Sequence, residues 1–116
     1  MKQNLIQDKS FTFALSIICL FKNLQAEREY IISKQILRSG TSIGANVEEA
    51  IAGQSKKDFL AKLSISLKEA RETRYWLRLL AESELTKLDV STYQKDVLEI
   101  VNILSAIVKT TRSSLR

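Results

Sequence analysis

Residues 55–84 read SKKDFLAKLSISLKEARETRYWLRLLAESE, thirty positions without a proline or a glycine. Proline removes a backbone donor and glycine adds backbone freedom, so the absence of both over this length points to one long helix. Phe59, Leu60, Leu63, Leu67, Ala70 and Leu77 recur at the helical period and gather on one side, as an intramolecular core requires. Nearly opposite stand Ile65, Trp76 and Leu79, with Ala61 beside them. A solvated face seldom carries isoleucine, tryptophan and leucine together, so this second face reads as a self-association surface anchored by Trp76 and flanked by Glu69 and Glu72. The plainer alternative is scattered exposed hydrophobes, which are common. Arg74 falls at the centre of the core stripe. An unpaired guanidinium inside a bundle would be expensive, which predicts either a carboxylate partner, Glu48 or Glu49, or an open, wet position.

Outward from this segment, the 3.6-residue period predicts three more helices. The first covers about residues 8–24 with Phe11, Ala14, Ile17, Ile18 and Phe21 on one face, and ends at the polar break of residues 25–29. The second covers about 30–51, with Ile32, Ile36, Ile43, Val47 and Ala50 aligned, and Gly53 separates it from the third, about 55–83. Ser55 and Asp58 suit the third helix's N-terminus. The fourth covers about 90–112, with Ser91 a capping candidate and Tyr93, Val97, Ile100, Val101, Leu104 and Val108 on its face. The basic tail of residues 109–116 is expected to fray. Short connections favour antiparallel neighbours, so the expected fold is all-α, a single domain over residues 1–116 built as an up-down-up-down four-helix bundle.

The middle of the second segment is made of small and polar residues, Ser39, Gly40, Thr41, Ser42, Gly44, Ala45 and Asn46. Two interior glycines cost a helix about 1 kcal/mol each relative to alanine. Either the helix breaks here, or its neighbours approach so closely that only small side chains fit. The apolar period keeps phase across Gly40 and Gly44, which favours a continuous or slightly kinked helix with Asn46 buried and hydrogen-bonded.

Composition excludes several classes. The chain has 116 residues, no proline, three glycines and a net charge of +5, too few turn formers for an all-β fold and a mild lean toward acidic partners. Cys19 is the one cysteine, so no intramolecular disulfide forms; it lies in an apolar run and is expected to be a small buried hydrophobe in a reducing compartment. The apolar run of residues 11–21 is far short of the roughly 20 needed to span a bilayer, and no cleavage site follows it, so the expected location is cytoplasmic. With no histidine, neither the commonest general base nor a zinc motif is available. No phosphate-cradling glycine loop is present, and the adjacent Glu48 and Glu49 diverge by about 100° on a helix. The chain reads as a non-enzyme without cofactor or metal.

The blocks Ser42-Ile-Gly-Ala-Asn-Val-Glu-Glu-Ala50, Lys56-Lys-Asp-Phe-Leu60, Leu63-Ser-Ile-Ser-Leu-Lys-Glu-Ala70 and Glu72-Thr-Arg-Tyr-Trp-Leu-Arg-Leu-Leu80 resemble the bacterial four helix bundle protein family. That family is also known as the S23 ribosomal protein or 23S rRNA intervening-sequence protein family. The resemblance runs from about residue 13 to 108, with its motifs in order. It implies an antiparallel bundle assembling as a homopentamer. Some members are encoded within insertions in 23S rRNA genes, and a related accessory protein of diversity-generating retroelements binds a reverse transcriptase and nucleic acid. The chain departs from the common pattern in lacking a proline before the small-residue motif and in having Glu48-Glu49-Ala50 where Ala-Glu-Gly is frequent. Those departures bear on the second connection rather than on the fold.

Two functions follow as expectations. One is a homo-oligomeric scaffold that binds nucleic acid, RNA first, through phosphate contacts from Lys34, Arg38, Lys56, Lys57, Lys62, Lys68, Arg71 and Arg78, with Ile65, Glu69, Glu72, Trp76 and Leu79 at the oligomer interface. The other is a protein-interaction adaptor, for instance an accessory subunit for a reverse transcriptase.

Overall fold

The computed structural model describes residues 2–115, with side chains described from Leu5 onward. Met1 and Arg116, the ends of the expected 1–116 domain, lie outside the described residues. Four α-helices make up the structure: α1 (Lys2–Ala26), α2 (Ile32–Ile51), α3 (Lys56–Ser83) and α4 (Ser91–Ser114). Each helix packs on its neighbours in sequence and α4 returns to α1, so α1 and α3 lie on opposite corners of a four-helix bundle. Gln7 reaches Glu48 near one end of α1, while Gly40 abuts Ile17 farther along, so α1 and α2 run in opposite senses. Ser66 with Ile43 and Thr73 with Ser39 show the same reversal between α2 and α3.

The core is assembled from one stripe per helix. α1 contributes Ile6, Ser10, Phe13, Ile17, Leu20 and Leu24 at alternating spacings of four and three. This corrects the expected α1 face: Phe11 is 63% exposed and Ile18 is also exposed, while Phe13 is buried. Cys19, expected in the core, is exposed for the same reason. α1 is apolar on two sides, and the side that closes the core is the one centred on Ile17. α4 carries a single apolar side, and Val97, Ile100, Val101, Leu104, Ile107 and Val108 fill it.

Small residues set the closeness of α1 and α2. A β-carbon at Gly40 would stand 3.0 Å from two carbons of the fully buried Ile17. α2 remains one helix through Gly40 and Gly44. Asn46 is half-buried rather than buried, and its side-chain amide donates to the Ser42 carbonyl at 2.9 Å. Between α2 and α3, Ser66 Oγ donates to the Ile43 carbonyl and Thr73 Oγ1 lies 2.8 Å from Ser39 Oγ, both inside the core.

The helix starts have distinct caps. Ser55 Oγ accepts the Asp58 amide at 3.1 Å. Ser91 is itself capped, its amide donating to Asp89 Oδ1 at 2.9 Å. At α2 the Glu29 carboxylate, inside the polar break, accepts the amides of Ile31, Ile32 and Ser33 at 2.8, 3.0 and 2.8 Å. The tail expected to fray is helical through Ser114.

Candidate nucleic-acid interface

α3 presents three longitudinal strips. The inner strip, Leu63, Ser66, Leu67, Ala70, Thr73, Leu77 and Leu80, is buried. Arg74 is not among them: it is exposed, one step around from the buried strip, at the seam with α4. The proposed partners are engaged elsewhere, Glu48 by Gln7 and Glu49 by Lys62 at 2.9 Å. Thr73 and Leu77 take the position that spacing alone gave to Arg74.

The second strip faces the α2 side and holds the residues expected at an oligomer interface. Ile65 and Leu79 are 42% and 36% exposed, while Trp76 is half-buried and packs against the core. Glu69 and Glu72 are bound within the chain, both by Arg38, whose Nη1 reaches Glu69 at 3.2 Å and whose Nη2 meets Glu72. The Trp76 indole N–H donates to Glu72 Oε2 at 2.9 Å. The two Arg38 ion pairs therefore hold this strip to α2 of its own protomer.

The third strip is the outer row, which points away from the bundle: Lys68, Arg71, Tyr75 and Arg78 follow at spacings of three and four, Lys57 stands about three turns before them, all are exposed, and Glu82 closes the row. Arg78 Nε donates to Glu82 at 2.8 Å, and this contact raises an already high pKa, so the guanidinium stays charged. Around the corner Arg74 and Arg78 line a cleft of about 430 Å³ with Gln94, Lys95 and Leu98 of α4. Glu82 is the one carboxylate among its lining residues. Sequence alone does not single out Lys95 or Arg74 as phosphate ligands. Arg74 was misplaced by phase, and Lys95 becomes relevant only when the register of α3 against α4 is known.

The eight basic residues expected to touch phosphate do not form one surface. Lys68, Arg71, Arg78 and Lys57 share the outer row, and Lys56 is exposed beside Lys57 at the first turn. Lys34 projects from α2. Arg38 and Lys62 bridge α2 and α3 through Glu69, Glu72 and Glu49, so their charge is answered inside the protomer.

The sequence model of the 23S rRNA-intervening sequence protein family matches residues 2–106, nearly the whole chain. This chain belongs to the 23S rRNA-intervening sequence protein family. A solved relative of this family, a protein of unknown function from the S23 ribosomal protein family of Bacteroides thetaiotaomicron VPI-5482, superposes with a TM-score of 0.89 at 50% identity. The match covers 94% of this chain and 99% of that one, so the bundle is shared from end to end. Comparison with curated proteins gives no match. For this intervening-sequence protein, no group of three or more histidine, cysteine, aspartate or glutamate residues among the described residues is placed to hold a metal. No helix among them is long and apolar enough to cross a membrane.

Proposed function

We propose that this chain is a non-catalytic, homo-oligomeric scaffold that binds nucleic acid, RNA in first place, by phosphate contacts along the outer row of α3 and the adjoining α3–α4 cleft. One observation carries this reading: Lys57, Lys68, Arg71 and Arg78 align on one exposed row, Arg74 and Lys95 extend it sideways, and Glu82 is the one carboxylate lining the cleft between them. A linear array of cations with few acids complements a polyphosphate chain, and it carries no base-edge code, so binding is governed by backbone charge. The family's link to 23S rRNA gives RNA its precedence among polyanions. A single cysteine suits a reducing compartment, so the cytoplasm is the location we propose in this reading.

The assembly half of the proposal rests on two apolar faces. Phe11, Leu15 and Ile18 form an exposed stripe on α1, and Ile65 and Leu79 a smaller one on α3. α1 and α3 sit on opposite corners, so joining one face to the other is a head-to-tail contact, which closes into a ring when the rotation permits. An up-down-up-down protomer in a five-membered ring is the form we propose.

The test is fluorescence anisotropy of a labelled RNA hairpin titrated with the protein from low to physiological salt. Log affinity should fall linearly with log salt, and Arg71→Ala with Arg78→Ala together should flatten the slope by roughly 1.5. Absence of binding above background at low salt would overturn the proposal. A second reading, an adaptor for a protein such as a reverse transcriptase, is favoured by the α1 stripe. It would be preferred if RNA binding failed while that stripe stayed uncovered in the assembled protein.

A further inference from the structure

Tyr75 is the one aromatic on the outer row of α3, with Lys68 and Arg71 before it and Arg78 after it, and it is 56% exposed. A tyrosine with so much ring in water contributes little to the core. Its position is nonetheless fixed. The Tyr75 ring meets the Trp76 indole edge-on, with centroids 5.3 Å apart and planes at 66°. Trp76 is in turn held by its N–H bond to Glu72, and Glu72 is clamped by Arg38 from the neighbouring helix. A chain of contacts from α2 through Glu72 and Trp76 thus braces one aromatic ring in a row of cations.

From this arrangement we infer that Tyr75 is a stacking platform for an unpaired base, and that the basic row takes single-stranded nucleic acid in preference to duplex. The inference rests on the polyanion reading above and adds the strandedness of the ligand. Cations bind the backbone of either form, but a stacked duplex hides its base faces, whereas a single strand can lay a base on an exposed ring. Arg71 and Arg78 lie about one turn to either side, roughly 6 Å and 4.5 Å along the helix. Phosphates flanking a base on Tyr75 fall within their reach. Arg78 spends Nε on Glu82, while its terminal nitrogens have no intramolecular bond among the described residues. Any base has a π-face, so this platform tolerates sequence. The bracing matters because a ring already ordered in the free protein loses less freedom on stacking.

The experiment titrates the full chain against two labelled probes, a 12-nucleotide oligoadenylate and a 12-base-pair RNA duplex, comparing wild type with Tyr75→Ala, Tyr75→Phe and Arg71→Ala. Wild type should prefer the single strand. Tyr75→Ala should weaken that probe on the order of ten-fold, leave the duplex unchanged and keep the same salt slope, because no charge is lost. Tyr75→Phe should bind as wild type, and Arg71→Ala should weaken both probes and flatten both slopes. Wild-type binding to both probes with Tyr75→Ala indistinguishable, or weakened equally on both, would overturn stacking while leaving the polyanion reading in place. No wild-type binding to either probe would overturn both. Circular dichroism of each variant separates these outcomes from misfolding, and a misfolded Tyr75→Ala leaves Tyr75→Leu, flat-ringed no longer but similar in bulk, to decide the matter.

Discussion

A β-carbon added at residue 40 meets Ile17, and one added at residue 44 meets Ser10, and the two contacts differ in kind. At Gly40 the distance is 3.0 Å to both Cγ atoms of a fully buried, β-branched side chain that cannot swing away. At Gly44 the nearest atoms are the Ser10 carbonyl and hydroxyl oxygens at 3.4 Å, an ordinary contact. Alanine gains about 1 kcal/mol of helix propensity at either site, but overpacking costs about 1–3 kcal/mol. Gly40→Ala should therefore lower stability by up to about 2 kcal/mol, while Gly44→Ala should be neutral or stabilising by up to about 1 kcal/mol, as read from urea unfolding midpoints. The sequence displayed the small residues of α2, and their continuous apolar phase argued for one helix. It could not say which glycine touches which neighbour, because that depends on the relative shift of α1 and α2.

At the scale of the helix, the caps do as much as the stripes. Glu29 covers three amides that open α2, so Glu29→Ala should cost about 1–2 kcal/mol, with Glu29→Gln intermediate, by the same unfolding measurement. Asp89 serves α4 by accepting the Ser91 amide, and this bond holds its carboxyl below the usual carboxylate range. The folded pKa is the depressed one, so the stabilisation is fully present above the unfolded value near 3.9 and fades as pH falls through the folded value. Asp89→Ala should thus be less stable than wild type at pH 7, and the gap should close as pH is lowered below about 4. Asp89→Asn, which keeps an acceptor without titrating, should show a flatter profile. A gap that persists unchanged at pH 2 would exclude this role. Legibility varied between helices for a physical reason. α4 has one apolar side and its face could be read directly; α1 has two, and periodicity alone does not say which of them closes the core. Spacing alone therefore turns Phe11, Ile18 and Cys19 inward, and it draws Arg74 into the core of α3 because Thr73 and Ser66, polar yet buried, do not register in an apolar count.

In the whole molecule, two opposite corners remain apolar, and this is where assembly can be tested. Leu15 is 54% exposed in the middle of the α1 stripe, so Leu15→Glu should leave the protomer folded. Light scattering should then report a mass several times the protomer's for wild type and a smaller one for Leu15→Glu. Equal monomer masses for both would refute the ring. The candidate nucleic-acid surface was only partly legible at this scale: the basic residues were visible, but which are neutralised by Arg38–Glu72 and Lys62–Glu49 pairing depends on how α2 lies on α3. The outer row itself has a length. From Lys57 to Arg78 it climbs 21 residues, roughly 32 Å at 1.5 Å per residue, without a bend-forming residue. It therefore acts as a ruler: a strand whose end-to-end length falls well short of this row cannot grip both ends at once.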